Sequence, residues 1–128
     1  MKLLLDTCTF LWLVLDESRL SAAARESFQD PANDTYLSAV SVWEISLKHA
    51  AGKLPLPESV DRFVPRVRGL LDVEPLPLDE ESALHLARLP AIHGDPFDRM
   101  LISQALMGGM VLVTPDQVIT QYPVRTLW

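Results

Sequence analysis

Short apolar runs and stretches of helical periodicity alternate along this chain. Lys2 to Leu5 is a compact apolar run closed by Asp6, which predicts a buried strand and then a helix from about Thr7. That helix carries Phe10, Leu11, Trp12 and Val14 and should end near Asp16-Glu17-Ser18. Ser21 has the residue type of an N-cap for a second helix reaching about Phe28, and Asp30-Pro31-Ala32-Asn33-Asp34 reads as a turn. Thr35 to Ser38 predicts a second strand. Ser41 is expected to cap the next helix, with Val42, Trp43, Ile45, Leu47 and Ala50 on a broad apolar face and Gly52 ending it.

The second half is less regular. Glu58 to Val67 has helical spacing that Pro65 should end or kink, and Val73 to Leu78 is a short extended piece carrying two prolines. Asp79 is placed to cap a helix containing Ala83, Leu84, Leu86 and Ala87, stopped by Pro90. His93-Gly94-Asp95-Pro96 makes a turn into a helix from Phe97 to Met107, which Gly108-Gly109 closes. Met110 to Val113 is a strongly apolar strand, Thr114-Pro115-Asp116 begins another turn, and Val124 to Leu127 is a last short strand. Strands alternating with helices imply an α/β class: a three-layer α/β/α domain with a mostly parallel four- to five-stranded sheet. There is no internal repeat and no linker, so residues 1–128 are expected to form one domain.

Composition narrows the classes. With 48% hydrophobic residues the chain can bury a core, which excludes disorder, and the longest apolar runs, such as Phe10 to Leu15, are far too short to span a bilayer. Three leucines after Met1-Lys2 are too few for a secretory signal, so the cytoplasm is the expected compartment and no membrane partner is expected. Cys8 is the only cysteine, which rules out an internal disulfide or a thiolate metal cage. The net charge of −6 argues against binding nucleic acid by bulk electrostatics. That objection weakens if acids hold divalent cations, since two such ions would cancel about four charges where a phosphate would sit.

Attention therefore turns to the acids. In open parallel sheets ligands bind beyond the carboxyl ends of the strands, and both Asp6 and Asp116 follow apolar strands. Taken singly, each acid has an ordinary structural explanation. Asp6 can cap the helix at Thr7, and Glu44 can pair with Lys48 four residues on along a polar helix face. Asp98 suits the first turn of its helix, Asp95 before Pro96 is a natural cap, and Asp116 follows Pro115 in a turn. Jointly they are harder to dismiss: Asp6, Asp98 and Asp116 fall at strand ends or helix starts on one presumed edge, with no lysine adjacent to any of them. Clustered carboxylates resist ionising together unless a cation is present, and oxygen-only ligands suit Mg²⁺ or Mn²⁺. His49, His85 and His93 show no ligand-like spacing; the first two read as helix-surface residues and His93 as a loop residue. A Gly-rich phosphate loop and a Ser elbow are missing, and Cys8 stands where a phosphoaspartyl phosphatase would carry its second acid.

Four segments, LLLDT at 3–7, SAVSVWEISLKHAAGKLPL at 38–56, HGDPFDRMLISQA at 93–105 and LVTPD at 112–116, resemble the PIN-domain ribonucleases, and more closely the VapC-type toxins. The resemblance extends to the closing Tyr122-Pro123-Val124 and Leu127-Trp128. It implies a PIN-like fold and a metal site formed by Asp6, Glu44, Asp98 and Asp116, with Mg²⁺, or Mn²⁺ in its place, as cofactor. Asp95 matches an additional acid of this subgroup and Thr114 a bordering hydroxyl, with Thr7 beside Asp6; Cys8 departs from the histidine often found at its position. The implied reaction is endonucleolytic hydrolysis of RNA leaving a 5′-phosphate and a 3′-hydroxyl. The implied partners are a small cognate antitoxin and a second copy of the chain.

RNA must still be drawn to an acidic protein. Lys48, Lys53, Arg62, Arg66 and Arg68 gather five of the eleven basic residues within 21 positions and are expected to line the approach, while Arg99 could bind phosphate or pair with a neighbouring acid. An apolar patch with Trp12, Trp43 or Phe63 could serve protein contacts. Other classes stay open at this point: a non-catalytic RNA- or antitoxin-binding module, a metal-dependent phosphatase, or a nuclease acting on DNA.

Overall fold

The computed structural model describes residues Met1 to Trp128. Its elements are β1 (Lys2–Leu5), α1 (Thr7–Leu15), α2 (Ala22–Gln29), β2 (Asp34–Ser38), α3 (Ala39–Ala50), α4 (Val60–Leu70), β3 (Glu74–Leu76), α5 (Glu80–His85), α6 (Pro96–Gly108), β4 (Val111–Val113) and β5 (Thr126–Leu127). The strands form one five-stranded sheet in the order β3-β2-β1-β4-β5, with every pairing parallel. No helix is long and apolar enough to cross a membrane.

The continuous apolar run of β1 is what a central parallel strand covered on both faces requires. Leu3, Leu4 and Leu5 are at most 1% exposed, and removing each from water contributes about 1.5–3 kcal/mol. Their alternation sorts the layers. Leu3, Leu5, Val111 and Val113 join Phe10, Ala24, Phe63 and Val67, so α1, α2 and α4 cover one face. Leu4 and Leu112 join Leu101, Ile102 and Ala105 of α6 on the other. The edges are short: β5 has two residues, and β3 carries Pro75, which is tolerated because it lies on an edge.

Several boundaries differ from the sequence pattern: α5 stops at His85 and gives way to a 3₁₀ turn over Leu86–Arg88, the last strand is Thr126–Leu127 and not Val124 to Leu127, and α3 and α4 also depart from it. The cap of α3 is Ser38, whose Oγ accepts from the Val40 amide at 3.0 Å, three residues before the expected Ser41. Ser41 is instead fully buried and its Oγ accepts from the Thr7 hydroxyl at 2.9 Å. The buried face of α3 is Val40, Ser41, Glu44 and Ile45, whereas Trp43 and Leu47 are 55% and 50% exposed. The cause is tertiary: α3 touches α1, α4 and α6, so its inward stripe is set by helices on both sides of the sheet and takes in two polar residues. Pro65 does not end α4. The carbonyl that loses its partner is that of Asp61, and Asp61 and Pro65 both lie on the exposed side of the helix, where water can take the bond.

Leu4 faces one helical layer at the centre of the sheet with no room for solvent to fill a truncation. Leu4→Ala is expected to lower unfolding free energy by about 2–5 kcal/mol, read as a shift of the urea midpoint at unchanged slope.

Candidate active site

Parallel pairing brings the carboxyl ends of β1 and β4 side by side, with Leu5 opposite Val113. The residues that follow them, Asp6 and Thr114, therefore emerge next to each other. The Asp6 amide donates to the Val113 carbonyl at 3.1 Å, and the Thr9 hydroxyl donates to the same oxygen at 2.9 Å. Beyond this edge lies a cleft of about 310 Å³, lined by Asp6, Thr7, Cys8, Glu44, Lys48, Lys53, Asp95, Asp98 and Asp116 among others. The acids that are scattered along the chain share one hollow.

Asp6 is 6% exposed and caps α1, its Oδ1 accepting from the Thr7 amide at 2.8 Å. Its Oδ2 accepts from the Thr114 hydroxyl at 2.6 Å and more distantly from the Cys8 thiol at 3.7 Å. Thr114 Oγ1 also accepts from the Asp116 amide at 3.1 Å, so one hydroxyl fixes both acids, while Asp116 Oδ1 accepts from the Val118 amide at 2.9 Å. Glu44 is also 6% exposed and forms an ion pair with Lys48. It is a buried member of the cleft, not the solvent-facing residue that its i to i+4 lysine suggests. Asp95 caps α6, its Oδ1 accepting from the amides of Phe97 at 2.9 Å and Asp98 at 3.0 Å. Asp98 Oδ2 meets His93 Nε2 at 3.1 Å.

The electrostatics follow from burial. Desolvation raises the carboxyl of Asp6 above its ordinary value, with the Glu44 charge adding to it, against the hydrogen bonds from Thr114 and Thr7. Burial likewise pushes Asp98 up to about 6, opposed by the His93 bond and helped by the charges of Asp6, Asp95 and Asp116. Lys48 is raised, first by its bond to Glu44, with the charges of Asp95 and Asp98 contributing. Burial and the nearby Asp6 charge push the Cys8 thiol up to about 12, so it stays protonated and is a poor nucleophile or ligand.

Of the basic residues expected along the approach, the structure brings Lys48 and Lys53 to the cleft. Arg62, Arg66 and Arg68 belong to α4 and do not line it: Arg66 pairs with Glu58 at 2.5 Å, and Arg68 borders a separate hollow with Val42 and Ser46. Sequence proximity misled here because α4 covers a sheet face, whereas the cleft lies at the strand ends. Arg99 turns inward, donating to the Pro90 carbonyl at 2.8 Å and the Tyr122 hydroxyl at 3.0 Å. Phe63 is core, Trp12 packs edge-on against Trp128 at 5.9 Å, and only Trp43 of the three aromatics is largely exposed, resting edge-on against Phe97. The residue that spacing missed is His93. It stands five positions before Asp98, and the turn into α6 folds it back to contact that acid; the only signal in the sequence was its place in the HGDPFD run.

The donor set is all oxygen, partly dehydrated and mutually repulsive, which suits a hard divalent cation. No three His, Cys, Asp or Glu side chains converge tightly enough to hold an ion by direct ligation together. The fit is to an ion that keeps much of its water and touches one or two carboxylates plus a phosphate, the usual habit of Mg²⁺.

Residues 3–124 match the PIN domain family, and the chain belongs to it. Over 71 residues it is 38% identical to ribonuclease VapC16 of Mycobacterium tuberculosis, an alignment spanning 52% of this chain and 50% of that protein, so it matches about half the length of that curated relative. Its fold is similar to that in the crystal structure of VapBC2 from Rickettsia felis bound to a DNA fragment from their promoter (TM-score 0.71, 13% identity, 98% of this chain and 97% of that one). It is also similar to that in DNA-bound VapBC from Salmonella typhimurium (TM-score 0.68, 23% identity, 98% and 96%). These likenesses agree with the parallel α/β architecture expected from the alternating pattern.

Because the folded protein binds the Asp98 proton more tightly than the unfolded chain does, this group's contribution to stability is fully present below about pH 4 and is lost as pH rises through about 6. In chelator, Asp98→Asn is expected to melt above the unsubstituted protein at neutral pH, with the gap closing toward pH ~4. A gap that does not vary with pH in thermal melts would refute this.

Proposed function

We propose that this chain is a divalent-metal-dependent endoribonuclease of the VapC type, the toxin of a toxin–antitoxin pair. The observation that carries the proposal is the convergence of Asp6, Glu44, Asp98 and Asp116, from four separate elements, on one cleft at the strand ends. Family membership and likeness to a curated ribonuclease support the reaction class.

One or two of Asp6, Glu44, Asp98 and Asp116 would touch Mg²⁺, or Mn²⁺ in its place, directly, and the others would hold it through its water shell. When bound, the cation supplies Lewis acidity, offsetting charge on the scissile phosphate and making water a stronger nucleophile near neutral pH. Thr114 and Thr7 keep the two Asp6 oxygens in fixed directions, and Asp95 fixes the backbone from which Asp98 projects. Lys48 offsets the Glu44 charge, and with Lys53 it gives the rim a positive edge that attracts the RNA backbone. The half-buried, protonated Cys8 is a poor nucleophile, which favours direct attack by water over a covalent enzyme intermediate. An exposed apolar surface at Trp43 and Leu47 supports contacts with a cognate antitoxin and with a second copy of the chain.

Labelled RNA and DNA are to be incubated with the purified protein in Mg²⁺, in Mn²⁺ and in chelator, beside Asp6→Asn. RNA is expected to be cut only with metal, and Asp6→Asn should lose at least about 100-fold in rate. Cleavage that survives chelation or the substitution would sink the mechanism, and cleavage of DNA alone would replace the substrate. Lys53→Gln should reduce the salt dependence of RNA binding by about one counterion while leaving thermal stability unchanged; an unaltered salt slope would remove Lys53 from the approach.

A further inference from the structure

Behind Asp98 lies a hydrogen-bonded chain that the proposed reaction does not use directly. Tyr122 is 3% exposed, and its hydroxyl oxygen receives Arg99 Nη1 at 3.0 Å and the His93 backbone amide at 3.2 Å. Neither donor can reverse its role, because a guanidinium and a peptide N–H have no lone pair to offer. With both lone pairs engaged, the phenol proton must be donated onward. Two acceptors are in reach: His93 Nδ1 at 2.7 Å and the His93 carbonyl at 3.5 Å, of which the first has hydrogen-bond length and the second is marginal. A neutral imidazole that accepts at Nδ1 carries its proton on Nε2, and Nε2 is the atom 3.1 Å from Asp98 Oδ2. Arg99 is itself anchored by the Pro90 carbonyl at 2.8 Å.

We infer that Arg99, Tyr122 and His93 are positioning residues: the Tyr122 hydroxyl, saturated by two obligate donors, locks the His93 ring as the Nε2–H tautomer, which then holds one oxygen of Asp98 and leaves the other for the cleft. The value of that aim for catalysis rests on the function proposed above, whereas the tautomer lock does not. Without the hydroxyl, only Asp98 itself would favour a proton on Nε2, and the tautomer that turns a lone pair toward Asp98 becomes more accessible. Sequence spacing could not show this, because Tyr122 lies 29 positions from His93.

The test has two arms on isotopically labelled, metal-free protein and on Tyr122→Phe, which removes one oxygen and keeps the ring. Long-range proton–nitrogen NMR, recorded up to the pH beyond which the His93 signals no longer move, should show Nδ1 of His93 bare and Nε2 protonated, and Tyr122→Phe should shift both nitrogens toward a mixture. Protonation at Nδ1, or a pattern untouched by Tyr122→Phe, would overturn the lock. In the second arm Mn²⁺ affinity is measured by calorimetry: Tyr122→Phe and His93→Ala should weaken it about tenfold or more, with His93→Gln, which keeps an N–H donor, recovering most of the loss. Equal affinity for His93→Ala and His93→Gln would reduce His93 to packing and refute the positioning role. If the unsubstituted protein binds Mn²⁺ but cuts no RNA, the proposed function fails and this inference stands. If it binds no Mn²⁺, the cation site fails and the tautomer measurement still decides the lock.

Discussion

The carboxylate of Asp6 is held out of water at the point where the central strand turns into the first helix, and most of the molecule contributes to keeping it there. The amide of Thr7 and the hydroxyl of Thr114 each take one of its oxygens, and the second of these groups stands at the end of a neighbouring strand 108 positions away. That contact exists only because β1 and β4 lie side by side in register. Register in turn depends on Leu3, Leu4 and Leu5 alternating between two apolar layers, since a slip of one residue would exchange the faces. A single polar interaction at the edge is therefore a readout of how the whole sheet is assembled.

The same placement sets a conflict that the fold tolerates. Burial and neighbouring negative charge raise both Asp6 and Asp98, which means that the folded state is less comfortable with them ionised than the unfolded chain would be. Lys48, which pairs with Glu44 and feels the charges of Asp95 and Asp98, offsets part of this. Sites that keep such groups together are common where a ligand completes the charge balance. The geometry is consistent with that arrangement, and the hydrophobic layers supply the stability against which it is maintained.

Much of this was legible in the residues. The strand at Lys2–Leu5, the cap at Ser21, the extended piece containing β3 and the helix after Asp95 follow from local pattern, because each depends on neighbours within a few positions. What local pattern could not give is orientation. Glu44 and Trp43 are adjacent, and their exposures are the reverse of what hydrophobicity suggests, because α3 spans the strand ends and meets helices of both layers. The contribution of His93 was invisible for a similar reason: its partners Asp98 and Tyr122 become neighbours only through a turn and a long return of the chain. Arg62, Arg66 and Arg68 show the converse error, a cluster in sequence that the topology sends elsewhere.

None of the four carboxylates sits in the middle of a long loop. Asp6 directly precedes α1, Glu44 is inside α3, Asp98 lies in the first turn of α6, and Asp116 follows β4 by three residues with its side chain tied to a backbone amide. The entropy of ordering them is thus lost once, when the sheet and helices form, and not again when something enters the cleft. Assembly of the site is thereby coupled to folding of the chain, because the same elements do both. Covering the cleft is then a way to control what happens in it while leaving the fold untouched.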